Sequence, residues 1–183
     1  GEGCSAFLGG ISKNYDSNLL IDENNVIVAE ADEFDRSFLQ LFPEIAVITS
    51  MDPDHLDIYG DEAHIREAFK AFASQVSGTV IVKYGLDITS EDTKAKIATY
   101  AYDNPSADFY AEPLEGEHFN LHYPGGVIED CVVGIPGWVN IENGTGAAAI
   151  ALTYGIDPLK IKKALASFFL QIQIQKFTLY LMI

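Results

Sequence analysis

Three short apolar runs, Val26–Ala29, Ile45–Thr49 and Thr79–Val82, are rich in β-branched residues and show no polar alternation. Continuous runs of that length suit strands covered on both faces, as in a parallel sheet. Between the second and third, Ile65, Ala68, Phe69, Phe72, Ala73 and Val76 recur at helical spacing and form one apolar stripe. The unit is therefore strand–helix–strand, the connection that parallel strands require. A second helix is expected after Thr89, with Asp92 three residues on.

From Ala107 to Val133 the pattern changes. Phe119, Leu121 and Tyr123 alternate, Pro124-Gly125-Gly126 marks a turn, and Val127–Val133 follows, which predicts a hairpin or small antiparallel sheet over about 107–135. A helix is expected from near Asn140 through Ala147–Tyr154. Another starts with Asp157 as N-cap and Pro158 in the first turn, and would bury Ile161, Ala164, Leu165 and Phe168. The fold class these elements define is α/β, a three-layer parallel sheet flanked by helices with a small antiparallel β subdomain. One domain is expected over 1–169. Residues 170–183 form a divergent tail that alternates at Gln171–Gln175 and ends on the apolar run Leu179–Ile183, an end that suggests truncation or a tail needing a partner surface.

Charge is the unusual quantity: 11 basic residues stand against 27 acidic ones in 183, a net −16. The two arginines, Arg36 and Arg66, cannot build a phosphate-tracking surface, so nucleic acid is excluded as the expected partner. An acidic protein that takes a phosphorylated ligand needs a divalent cation between the two sets of negative charge. Cys4 and Cys131 lie far apart with no metal-ligand spacing, and read as free thiols in a reducing compartment. No apolar run approaches the roughly 20 residues that span a bilayer, so the expected setting is cytoplasmic, with no membrane partner.

Two acidic clusters stand directly behind predicted strands: Glu30-Ala31-Asp32-Glu33-Phe34-Asp35 and Asp52-Pro53-Asp54-His55-Leu56-Asp57. Ligands of open α/β sheets bind outside the carboxyl ends of the strands. Both clusters would face one crevice if their strands are neighbours. Carboxylates with a single imidazole suit Mg²⁺ or Mn²⁺ better than a structural zinc. The plain alternative is that these acids cap the following helices and face solvent.

Read together, Val28-Ala29-Glu30-Ala31-Asp32-Glu33-Phe34-Asp35-Arg36-Ser37-Phe38-Leu39 and Val47-Ile48-Thr49-Ser50-Met51-Asp52-Pro53-Asp54-His55-Leu56-Asp57 resemble the central domain of the Mur ligases, in their alanine-adding branch. Gly9-Gly10-Ile11-Ser12-Lys13-Asn14-Tyr15 and Pro136-Gly137-Trp138-Val139-Asn140-Ile141-Glu142-Asn143 match the same family, so the resemblance runs from about Phe7 to Phe168. It implies an ATP-dependent ligase acting through an acyl-phosphate, with ATP, UDP-N-acetylmuramate and L-alanine as ligands. By the same resemblance Glu30 binds Mg²⁺ near the γ-phosphate, His55 holds a second metal, and Asn140 and Asn143 lie against the adenine side of ATP. Asp32, Glu33 and Asp54 would orient the metals or the muramyl substrate.

The sequence departs from the family in several places. No Gly-Lys pair occurs, so the phosphate loop and the strand before it are absent. The C-terminal domain that brings the amino acid is missing as well, and a fragment inactive alone is the simplest expectation. The family's histidine before the first asparagine is Val139, and Gln175-Lys176-Phe177 stands where Arg-Arg-Phe is expected. Gly144-Thr145-Gly146-Ala147-Ala148-Ala149 satisfies a dinucleotide pattern but follows no strand. Lys70 reads as a solvated helix residue, with Phe69 in the family's aromatic position. His64, His118 and His122 read as surface or hairpin residues, and Trp138 as packing. Beside the ligase reading stand a murein-peptide-recycling ligase fragment, a metal-dependent hydrolase using Glu30, Asp32 and His55, and a non-catalytic assembly module, with self-association favoured by exposed edges.

Overall fold

A computed structural model describes residues 3–12, 15–31, 34–52, 62–168 and 181–182. Among them, ten strands form one sheet in the order β2-β1-β3-β10-β4-β5-β6-β7-β8-β9. In chain order these are β1 (Ser5–Ser12), β2 (Ser17–Leu20), β3 (Ile27–Glu30), β4 (Ile45–Ile48), β5 (Thr79–Lys83), β6 (Lys96–Tyr102), β7 (Phe109–Pro113), β8 (Phe119–Tyr123), β9 (Gly126–Cys131) and β10 (Leu181–Met182). β1 pairs in parallel with β3, and β4 through β7 run parallel to one another. Helix α1 (Glu62–Gln75) connects β4 to β5, and α2 (Trp138–Tyr154) and α3 (Pro158–Ala166) follow the last hairpin.

The continuous apolar strands fold as they do because both faces are covered. Ala46, Ile48, Val80 and Val82 face the layer containing α1, where Phe38, Phe69 and Phe72 meet them. Ile45, Val47, Ile81, Ala98 and Tyr100 face the other way, onto Ala149 and Ile150 of α2. The whole predicted stripe of α1 is buried: Ile65, Ala68, Phe69, Phe72, Ala73 and Val76. Phe38 tilts against Phe69 and Phe72 with ring centroids 5.3 Å from each. Each such side chain contributes roughly 1.5–3 kcal/mol on leaving water.

The expected antiparallel strands are present and continue the sheet. β7 is parallel to β6 and antiparallel to β8, and β8 closes a hairpin with β9. Phe119, Leu121, Ile128 and Cys131 form a third core with Ile141, Ile161 and Leu165 from α2 and α3.

Three sequence expectations need correction. No helix follows Thr89: Asp92 turns back on Thr89, accepting from its N–H at 2.8 Å and its hydroxyl at 3.1 Å, and the chain then enters β6. A cap signature was spent on a closed turn, and the β-branched and aromatic residues of Ile97–Tyr102 decide for strand. On α3, Ile161 and Leu165 are buried, but Ala164 within the helix and Phe168, past its end at Ala166, are exposed. Finally, β3 and β4 are not neighbours: β10 lies between them and pairs antiparallel with both.

Candidate functional site at the carboxyl ends of the strands

Glu30 is the last residue of β3, at the carboxyl end of the parallel strands. Its Oε2 accepts the Gly9 backbone N–H at 2.7 Å, across from β1. Glycine leaves room for this contact, since a Cβ on residue 9 would stand 2.8 Å from Glu30 Oε1 and press the carboxylate aside. β1 thus approaches the carboxylate through bare backbone, which aims one oxygen at an amide and leaves the other for a further partner. A single hard carboxylate, supplemented by water and phosphate oxygens, is a fitting donor set for Mg²⁺. Among the described residues no cluster of three or more His, Cys, Asp or Glu could hold a metal. Asp32, Glu33, Asp54 and His55 lie outside the described residues.

The first turn of α2 carries the second set of candidate residues. Gly137 enters it at φ 111°, a left-handed conformation suited to glycine. Its N–H donates to Glu117 Oε1 at 3.0 Å, and Asn140 Nδ2 donates to the Pro136 carbonyl at 2.7 Å. Asn140 therefore keeps Oδ1 and one N–H for other partners. Asn143 is half-buried, and its carboxamide makes no hydrogen bond among the described residues. Between them Glu142, nearly buried, meets Lys83 at the end of β5 with Nζ to Oε2 at 2.7 Å. Glu30 and the asparagine pair sit on different elements, β3 and α2. The Lys83–Glu142 pair was not foreseen, and its only sequence signal was a lysine closing an otherwise apolar strand.

The remaining candidates take structural places. Lys70 pairs with Asp87 at 3.2 Å and Asp92 at 3.3 Å, while Phe69 is buried. His122 Nε2 meets Glu112 at 2.9 Å and stacks on Tyr110, and His118 Nδ1 meets Asp130 at 2.6 Å. These contacts hold both carboxyls below their usual range, the histidine hydrogen bond being the largest cause in each. Trp138 is more than half exposed and tilts against Tyr102 with ring centroids 6.1 Å apart. Gly144 and Gly146 lie inside α2, where they admit Val133 and the Tyr100 ring rather than a dinucleotide. Cys4 and Cys131 are free, and burial pushes both thiols up.

The sheet and its helix layers agree with known proteins. The family model described as the Mur ligase middle domain matches residues 15–151, and the chain belongs to that family. Within it, the chain is 43% identical over 173 residues to the UDP-N-acetylmuramate–L-alanine ligase of Porphyromonas gingivalis, covering 90% of this chain and 38% of that one. Its identity to the ligase of the same name from Parabacteroides distasonis is 46%, over 90% of this chain and 37% of the relative. The chain thus spans less than two fifths of the curated relatives it matches. Among solved structures, the UDP-N-acetylmuramate:L-alanyl-γ-D-glutamyl-meso-diaminopimelate ligase of Neisseria meningitidis superposes with TM-score 0.77 at 20% identity, over 94% of this chain and 60% of that one. The UDP-N-acetylmuramate–alanine ligase of Thermotoga maritima gives 0.71 at 20% identity, over 91% and 39%. These two likenesses establish the fold. Among the described residues no helix is long and apolar enough to cross a membrane.

Proposed function

We propose that this chain is the nucleotide- and metal-handling domain of a cytoplasmic ligase that joins L-alanine to UDP-N-acetylmuramate with ATP. The observation that carries the reading is the carboxylate of Glu30, held by the Gly9 amide at the carboxyl end of β3 in a chain closely similar to alanine-adding relatives. In this reaction a muramyl carboxylate oxygen attacks the γ-phosphorus of ATP, forming an acyl-phosphate and releasing ADP. The amine of L-alanine then attacks the acyl carbon, loses a proton and displaces inorganic phosphate.

Two anions must approach each other in the first step, and Mg²⁺ or Mn²⁺ would supply the charge that permits it. Glu30 and His55 are the residues that would hold the metals, with Asp32, Glu33 and Asp54 orienting them or the muramyl substrate. Asn140 and Asn143 would receive adenine, whose amino group and ring nitrogen match a carboxamide's acceptor and donor. With no Gly-Lys phosphate loop among its 183 residues, the chain by itself is inferred not to ligate.

A murein-peptide-recycling ligase would use the same parts with a peptide in place of L-alanine. An assembly role is the second reading. It is supported by Phe7, Leu19 and Ile27, exposed apolar residues on adjoining strands β1, β2 and β3, and its mark is association that grows with concentration.

The experiment is replacement of the matching segment of the Porphyromonas gingivalis ligase by this chain, followed by assay of ADP release. Release that requires both UDP-N-acetylmuramate and L-alanine is expected. A folded hybrid that accepts a tripeptide in place of L-alanine, or releases no ADP, would overturn the reading.

A further inference from the structure

A row of polar side chains runs beneath the first turn of α2. Lys83 ends β5, and Tyr100 is its register partner on β6. On the other side Thr49 follows Ile48, which is paired with Val82, and so continues the row. Strand alternation places all three on the α2 face, with Val47 and Ile81. Thr49 is 8% exposed and Tyr100 is fully buried, yet neither hydroxyl has a hydrogen-bond partner among the described residues. Into this row Glu142 descends from α2 to meet Lys83 at 2.7 Å. One turn later Gly146 brings the helix so close that a Cβ would stand 3.1 Å from the Tyr100 ring. Burial, and then the Glu142 charge, push the Tyr100 phenol up, so the row carries no competing anion.

A nearly buried ion pair is a poor source of net stability, because desolvation offsets most of its attraction. Its effect is positional: removing one partner leaves an uncompensated charge, so the helix is held where both can meet. Asn140 and Asn143, three residues apart, share a helix face beside the one that Glu142 turns to the sheet.

We propose that Lys83 and Glu142 are a positioning pair that fixes the first turn of α2 on the sheet and thereby sets Asn140 and Asn143 for the nucleotide. This rests on the nucleotide reading above. Neither residue touches the reacting atoms. The pair acts through the asparagines, and it accounts for a lysine at the end of a buried strand and for the one charged residue of α2.

The test is amide hydrogen exchange on the chain, native and as Lys83→Met, Glu142→Gln and the reversed pair Lys83→Glu with Glu142→Lys. MgADP is titrated in parallel against the emission of Trp138, the single tryptophan and the first residue of α2. Both single variants should speed exchange over 140–143 about tenfold while 147–153 keep native rates, and the reversed pair should restore protection. Unchanged exchange in the single variants would overturn the pair, as would equal loosening of the whole helix or no recovery on reversal. If 140–143 loosen as expected but MgADP, carried to concentrations at which the weak binding expected without a phosphate loop would register, leaves Trp138 emission unchanged in the native chain, the pair stands and the nucleotide reading falls.

Discussion

The backbone N–H of Gly9 donates to the carboxylate of Glu30 at 2.7 Å, and that one bond ties the glycine-rich β1 to the acidic end of β3. It couples an element with no chemistry of its own to the residue proposed above as a metal ligand. The coupling is testable because Gly9 lies in extended backbone, and a side chain there would disturb only the Glu30 carboxylate.

Gly9→Ala should leave the fold almost untouched and weaken the proposed metal site. The new methyl would meet the Glu30 carboxylate at 2.8–2.9 Å, and that is the far end of a flexible side chain, free to swing aside. Thermal stability should shift by less than about 0.5 kcal/mol. Mn²⁺ affinity should fall about tenfold, the order seen when a group orienting a metal ligand is lost. Titration followed by electron paramagnetic resonance reads the second quantity directly.

Gly146→Ala should destabilise, although alanine is the better helix former by about 1 kcal/mol. The added Cβ stands 3.1 Å from two carbons of the Tyr100 ring, which is fully buried and has nowhere to move. Overpacking of that kind costs about 1–3 kcal/mol. Urea unfolding should therefore show a lower midpoint with an unchanged slope.

Asp157→Ala should cost about 1 kcal/mol. The Asp157 side chain accepts from the N–H of Leu159 at 2.8 Å, at the start of α3, and from that of Lys160 at 3.3 Å, which also donates to the Asp157 carbonyl at 3.0 Å. Asp157→Asn should recover most of the loss in the same unfolding assay, since an amide oxygen accepts equally well.

Acid should weaken the β7–β8–β9 end through Glu112 and Asp130. Both carboxyls lie below their usual range in the fold, Glu112 first through His122 and then Asn120, Asp130 through His118. A lowered folded value means that the stabilisation is complete above the ordinary carboxylate range, near pH 4, and is lost as pH falls through the folded value. Melting temperatures of the native chain should fall more steeply below that range than those of Glu112→Gln with Asp130→Asn, and the two curves should converge at the acid end. Parallel curves would contradict the assignment.

The parts of the fold legible in the sequence are those where one signal decides. The stripe from Ile65 to Val76 could only be a helix buried on one face, and Ile45–Thr49 could only be a covered strand. Asp157-Pro158 marked the start of α3. Misreading arose where two structures share a signature: Thr89 and Asp92 spell a helix cap, yet here the aspartate closes a turn on its own threonine. β1 and β2 were not foreseen because the glycine pair of β1 and the four-residue length of β2 give neither alternation nor a long apolar run. Among the candidate residues, the position of Glu30 at the carboxyl end of a strand was legible. The reason for Gly9 was not, because a glycine in a strand announces close approach without saying to what. Lys83 and Glu142 meet only through the tertiary packing of α2 on β5, and nothing local in either segment points to the other.

The most direct test of the metal- and nucleotide-handling assignment is calorimetric titration of Mn²⁺ into the native chain and its Glu30→Ala and His55→Ala variants, each with and without ATP. The account predicts weak Mn²⁺ binding that is lost in both variants and little strengthened by ATP, because no phosphate loop stands among these residues. Mn²⁺ binding that survives either substitution, or tight ATP binding by the native chain, would contradict it.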